Sequence, residues 1–184
     1  NLYSEKRQLN LKGDKRLMIM KKMVDLKSGN SILDIGCYDG TFLALFKDRP
    51  VNLYGIETNK FCLQKSRKRG INVKNFCFNN HSKIPFKNNF FDYIIAGEII
   101  EHIFDTDYFL EEIRRLLKKG WFLVLSTPNL ASLGRRLMLL IGLNPLIELS
   151  CNEAGSSGHI RYFVKESLFK LLEKHKFKII DFKS

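Results

Sequence analysis

Ser31-Ile32-Leu33-Asp34-Ile35-Gly36-Cys37-Tyr38-Asp39-Gly40-Thr41 is the stretch on which the fold turns. Its first five residues read as a buried strand, Gly36 and Gly40 frame a tight turn, and Thr41 opens a helical window. A strand that runs through a glycine-rich turn into a helix is where open α/β sheets bind nucleotides, because small residues let backbone N–H groups approach a ligand. Spacing excludes two familiar versions of that turn. A dinucleotide fingerprint needs glycine at positions 38 and 41, where Tyr38 and Thr41 stand, and no Gly-Lys-Ser/Thr follows the strand to make a P-loop. On these residues alone, a nucleotide-like ligand and a plain turn with a helix-capping acid explain the pattern equally well. Glu57 shifts the balance, since it ends the second predicted strand roughly 20 residues past the turn, where a ribose-binding acid belongs.

Outward from this turn, short β-rich runs alternate with amphipathic helical windows, the pattern of a parallel sheet with crossover helices. Six strands are predicted, over 31–35, 51–56, 73–78, 91–96, 121–126 and 177–182. Asp14 is placed to cap a cover helix carrying Leu17, Met18, Met20, Met23 and Val24. Further helices are predicted over 41–46, over 60–69 with Gly70 as its terminator, and over 164–175. Another carries Phe109, Leu110, Ile113, Leu116 and Leu117 on one face, with Glu111, Glu112, Arg114 and Arg115 outward. The segment 129–158 holds Pro145, an apolar helical piece and Gly155-Ser156-Ser157-Gly158, and an insertion of that length reads as a lid. The organisation is a leader with its cover helix over 1–30 and one domain over 31–184.

With 184 residues, 45% hydrophobic and 27% charged, the chain can bury a core and is not intrinsically disordered. Its net charge of +12 permits phosphate-bearing partners, although a lysine-rich solvated surface, including the basic face of Lys60, Lys65, Arg67, Lys68 and Arg69, is the plainer reading. The four cysteines, Cys37, Cys62, Cys77 and Cys151, form no C-x-x-C pair, which argues against a zinc knuckle and a secreted disulfide framework. A cytoplasmic location is the expectation. The longest apolar run, 137–143, is far short of the roughly 20 residues of a membrane span, and 1–13 lacks the apolar core of a signal peptide.

Asp34-x-Gly36-x-Tyr38-x-Gly40 resembles motif I of class I S-adenosylmethionine-dependent methyltransferases. The likeness continues in order: Glu57, then Asn79 and Asn80, then Ile84-Pro85-Phe86 with Phe90-Phe91-Asp92-Tyr93, similar to that family's LPF…FD stretch. Glu98-Ile99-Ile100-Glu101-His102, Ser126-Thr127-Pro128-Asn129 and His159-Ile160-Arg161-Tyr162-Phe163 follow. The resemblance implies a Rossmann-like, doubly wound, mostly parallel α/β sheet of six or seven strands with helices on both faces. It implies S-adenosylmethionine as cofactor, held by Asp34, Gly36, Cys37, Tyr38, Gly40, Glu57, Thr58 and Ala96. Glu57 would take the ribose hydroxyls and Asn79 or Asn80 would read the adenine. Tyr38 departs from the usual middle glycine, and the antiparallel seventh strand of the family is missing; an edge so exposed would offer a homodimer interface.

Methyl transfer from a sulfonium is an in-line displacement with a good leaving group, so the protein chiefly positions the acceptor and keeps it unprotonated. A helical turn over 97–103 would put Glu98, Glu101 and His102 at i, i+3 and i+4 on one face. The run resembles the E-x-x-E-H of small-RNA 2′-O-methyltransferases and of ubiquinone-pathway O-methyltransferases. In the former, with a later histidine, it holds a divalent ion, which implies Glu98, Glu101, His102 and His159 as ligands for Mg²⁺, Mn²⁺ or Zn²⁺. Without a metal, His102 reads as a general base or substrate-orienting group beside Glu98 and Glu101, or all three are structural. His81 and His175 read as surface residues.

The acceptor expected from the resemblance is a hydroxyl of a small molecule, sugar or lipid-linked metabolite. An RNA 2′-O-methyltransferase is one alternative. The other is a non-catalytic partner of a methionine-biosynthesis acyltransferase, which the glycine turn, Arg135-Arg136 and the following apolar run also resemble. Arg135-Arg136 with Leu137-Met138-Leu139-Leu140-Ile141 reads first as a lid helix packed on its own domain and second as a membrane-surface contact.

Overall fold

The computed structural model describes residues 14–78, 82–145 and 158–183. Helix α1 (Lys15–Lys22) is entered through Asp14, whose Oδ1 accepts the Leu17 N–H at 3.2 Å. That bond satisfies a donor which the first turn cannot pair internally. Strand β1 (Ser31–Ile35) has the predicted bounds and leads into a 3-10 turn over Leu43–Phe46. The chain continues through β2 (Asn52–Glu57), α2 (Lys60–Lys68), β3 (Asn72–Asn75) and β4 (Phe91–Gly97). A 3-10 turn over Ile100–His102, α3 (Thr106–Leu116), β5 (Leu117–Ser126), α4 (Leu133–Leu140) and α5 (Lys165–Lys174) follow. Packing divides the chain into two units, one of residues up to Gly97 with Glu112–Ser126, the other of Glu98–Glu111 with residues from Thr127 onward.

The first unit holds the sheet, in the order β3-β2-β1-β4-β5 with every pair parallel. The central β1 is buried along its whole length, as a strand covered on both faces should be. Strand order reverses at β1, so the carboxyl ends of β1 and β4 mark the switch point where such sheets bind ligands. Leu17, Met20 and Val24 pack in one core cluster with Ile32, Phe42 and Tyr93. Full burial of such an aliphatic side chain contributes about 1.5–3 kcal/mol, which makes α1 integral to this core. Buried Asp92 accepts the Ser31 N–H at 2.7 Å and Lys118 Nζ at 2.8 Å, tying β4 to the starts of its two neighbours. Glu112 accepts the Ile84 N–H, and Arg115 donates to the carbonyls of Ile84 and Phe86, so the Ile84-Pro85-Phe86 stretch is clamped by its backbone.

The strand count differs from expectation. Among the described residues the sheet has five strands rather than six or seven, because 177–182 forms none. Alternating apolar residues state a preference for burial, but a strand also needs an edge to pair with. Here Phe182 instead packs its ring on Phe169 of α5 at 5.3 Å, and Ile180 stays 70% exposed. β3 is also shorter than predicted, ending at Asn75.

The second unit is built on the Ile100–His102 turn, the first turns of α3, the Asn129–Phe163 bridge, α4 and α5. His175, expected on the surface, is buried at the end of α5, where Nε2 lies 2.6 Å from Asp107 Oδ1. Lys174 Nζ lies 2.8 Å from the same carboxylate, and the hydrogen bonds from Lys174 and His175 hold the Asp107 carboxyl below its ordinary range. Two lysines flank His175 in sequence, but the last helical turn directs it toward the acid on α3. Helix α4 buries none of its residues. No helix among the described residues is long and apolar enough to cross a membrane.

Candidate functional site

In the first unit, β1 delivers Asp34 and β2 delivers Glu57 to neighbouring positions, since Asp34 pairs in register with Gly55 and Ile35 with Ile56. Asp34 is only 6% exposed. Burial pushes its carboxyl up to about 8, Glu57 adds to the rise by repulsion, and Arg16 opposes it. Glu57 stands two positions beyond the Asp34 partner Gly55 on β2. Glu57 Oε2 accepts the Tyr38 N–H at 3.0 Å, while Oε1 accepts the Thr58 N–H at 2.7 Å and the Asn59 N–H at 2.9 Å. The turn is held by its own amides as well: Gly36 and Cys37 both donate to the Ile56 carbonyl, and Gly40 to that of Cys37. The amides of Gly36, Cys37 and Gly40 are thus engaged within the turn, and that of Tyr38 by Glu57.

Tyr38 sits in the left-handed region at φ 49, the conformation a middle glycine would adopt freely. Its carbonyl accepts from Ser66 Oγ at 2.9 Å, which helps hold this backbone. Gly40, at φ 77, has no room for a side chain, because an added Cβ would run into Ile71 Cδ1 and lie 3.1 Å from Ser66 Oγ. Gly40→Ala is accordingly expected to destabilise the domain by on the order of 2–3 kcal/mol, read as a fall in the urea midpoint with little change in slope. Cys37 turns its thiol inward against Gly55, and burial, reinforced by Asp34 and Glu57, pushes that thiol up; it is no nucleophile. Ala96 is fully buried in β4, and Asn79 and Asn80 lie outside the described residues.

Sequence reasoning missed three contributors to this turn. Asp39 Oδ1 accepts from both the N–H and the hydroxyl of Thr41, and its Oδ2 pairs with Arg69 at 3.0 Å. Ser66 reaches back from α2 to Tyr38. Arg16 donates to Ser126 Oγ at 3.4 Å, and an added Cβ on Gly97 would lie 3.3 Å from its Nη1, which places the guanidinium at the carboxyl ends of β4 and β5. The Asp39-x-Thr41 spacing signalled an Asx turn, but nothing in a lysine-rich helix singled out Arg16.

In the second unit, Glu101, His102 and His159 bring one ligand atom each within 4.8 Å of one another. Glu101 is 1% exposed; its Oε2 accepts from Thr127 Oγ1 at 3.0 Å and its Oε1 lies 3.7 Å from His159 Nε2. The His102 and His159 rings are 4.8 Å apart, and His102 Nδ1 lies 3.2 Å from the Gly158 carbonyl. Glu98 is not in this group: it takes a left-handed φ of 53, and the 3-10 turn begins after it, so the i, i+3, i+4 alignment does not form.

Arg161 holds the loop that carries His159. Its N–H and that of Ile160 donate to the Glu101 carbonyl, its Nε to that of Ile103 at 3.0 Å, and its Nη2 to that of Phe104. Arg161→Ala should cost about 2 kcal/mol and release His159, read as a lower melting temperature together with a solvent-like imidazole shift for His159 in NMR.

One carboxylate and two imidazoles form a donor set suited to Zn²⁺ or Mn²⁺ more than to Mg²⁺. An Nδ1 set against a backbone carbonyl leaves Nε2 of His102 as the ligating atom, and Thr127 orients the carboxylate, as outer partners of metal ligands commonly do. The residues present thus fit a divalent ion, with inward movement needed to bring all three atoms to bonding distance.

Residues 3–181 match a methyltransferase-domain family, Methyltransf_23. The bifunctional methionine biosynthesis protein MetXA/MetW of Rhodopirellula baltica is 30% identical over 115 residues, 58% of this chain and 18% of that protein. The ubiquinone biosynthesis O-methyltransferase of Pelagibacter ubique is 31% identical over 108 residues, 53% of this chain and 42% of that protein. This chain thus spans less than half the length of each of these curated relatives. A SAM-dependent methyltransferase of Thermotoga maritima, described as a possible histamine N-methyltransferase, superposes with a TM-score of 0.66 at 24% identity, covering 89% of this chain and 69% of that one. That likeness is one of fold, a parallel sheet with the same Rossmann-like winding. With nearly its whole length matched, the chain belongs to the Methyltransf_23 family of S-adenosylmethionine-dependent methyltransferases.

Proposed function

We propose that this domain transfers the methyl group of S-adenosylmethionine to an oxygen nucleophile on a small molecule, sugar or lipid-linked metabolite. What carries the reading is Asp34 beside Glu57 at the ends of neighbouring strands, an acid pair that complements a ligand bearing cationic groups and a ribose diol. The cofactor supplies the electrophilic methyl on a sulfonium. Asp34 faces its positive end, Glu57 takes its hydroxyls, and Arg16 receives its carboxylate. Glu101, His102 and His159 orient the acceptor and draw off its proton; with a divalent ion in their grasp, the acceptor hydroxyl would ionise more readily.

Calorimetric titration with S-adenosylhomocysteine tests the cofactor half. Binding is expected, weakened at least about tenfold by Glu57→Gln, which removes a charge-assisted acceptor. Absence of both heat and thermal stabilisation at millimolar ligand would overturn it. The match to MetXA/MetW favours a second reading, a domain that works beside an acyltransferase without transferring methyl groups. In that case an acyltransferase would co-purify and no acceptor would gain a methyl group.

A further inference from the structure

Helix α4 and its C-cap residue carry Leu133, Leu137, Leu140 and Ile141 at i, i+4, i+7 and i+8. At 100° per residue these four, with Met138, cover an arc of about 160°, and Arg135 and Arg136 flank it, one beyond each edge. Among the described residues the arc is left largely uncovered. Leu133 is 74% exposed, Leu140 80% and Ile141 70%, against the sequence reading of a lid helix packed on its own domain. Gly142, at φ 75, closes the helix, and Leu143 follows with its side chain 52% exposed. An exposed apolar surface so dense is a binding site rather than ordinary surface.

We infer that α4 is an interfacial element that seats this domain on an anionic lipid bilayer. Charge complementarity selects this occupant. From 127 to 145 the chain carries two arginines and no acid, and its net charge is +12. Arginines beside an apolar arc lay their stems along acyl chains and leave the guanidinium among anionic headgroups. A second copy seated on this face would bring Arg135 and Arg136 against their own counterparts.

The test is flotation of this chain with vesicles of phosphatidylcholine alone and of phosphatidylcholine with phosphatidylglycerol. Binding is expected to the anionic vesicles and to be roughly tenfold weaker or more for the neutral ones. A Leu137→Ser, Leu140→Ser pair should abolish it with an unchanged melting temperature, because both side chains are exposed, and an Arg136→Gln change, at another exposed position, should weaken it severalfold, likewise without a change in melting temperature. Equal flotation of the wild type and both variants, or no flotation with either vesicle, would overturn the assignment. A concentration-dependent dimer that the leucine pair dissolves, without vesicle binding, would give the face to a second copy instead. The readout is independent of methyl transfer, so its outcome and that of the proposed activity stay separate.

Discussion

Replacing Asp34 with asparagine is expected to make the ligand-free domain more stable while costing it the cofactor. The Asp34 carboxyl, ordinarily near 3.8, stands at about 8 in the fold. Between those values the unfolded chain has lost the proton and the folded chain keeps it, so the folded state binds more protons and its stability falls as pH rises from about 4 to about 8. Above that range the penalty is complete, on the order of 6 kcal/mol. The asparagine variant lacks this slope. Its advantage in melting temperature should be largest at pH 8 and above and vanish toward pH 4, at about 2–4 °C per kcal/mol for a chain of this size. Cofactor affinity should fall at least about tenfold, since a neutral amide cannot answer a cation. In the wild type, a cation arriving beside Asp34 lowers its proton affinity, so binding at pH 7 should release a proton, seen as a heat that depends on the buffer's ionisation enthalpy. A variant no more stable than wild type at pH 8, or a heat indifferent to buffer, would show that Asp34 is not held as described.

Glu101→Gln is the second large effect. The amide keeps the size of the side chain and a carbonyl oxygen for the Thr127 hydroxyl, so the fold should survive. The negative charge next to His159 disappears. Turnover is expected to fall by about 10²–10⁴-fold, the range associated with losing general-base assistance, with S-adenosylhomocysteine affinity within about twofold of wild type. If the cluster works through a metal, Mn²⁺ binding followed by electron paramagnetic resonance should disappear in the same variant. Full turnover in Glu101→Gln would reduce the cluster to a structural role.

What the sequence disclosed and what it withheld divide along chain distance. Asp14 as a cap, Gly70 as a helix terminator and β1 to the residue were legible because caps, glycine stops and apolar runs are written within a few positions. The order of acids around the glycine turn was legible for the same reason, since β1, its turn and β2 are consecutive. Contacts between distant positions were not. Arg16 with Ser126, Asp39 with Arg69 and His175 with Asp107 are ordinary residues in ordinary patterns until the fold brings them together. The 177–182 run failed differently: its alternation was real, but Phe182 found a partner in Phe169 rather than in a sheet edge. Glu98 failed because a helical period was assumed to begin where the backbone is still left-handed.

The three amides on Glu57 bear on turnover. A carboxylate offers about four lone-pair positions, and the amides of Tyr38, Thr58 and Asn59 with the Thr58 hydroxyl, 3.4 Å from Oε1, already occupy them. A sugar diol needs two. Under the proposed binding, two residents, the Thr58 hydroxyl and one amide, would step aside when the nucleoside lands and return when it leaves. Such an exchange would leave the emptied cradle already satisfied, which favours quick departure of the spent nucleoside.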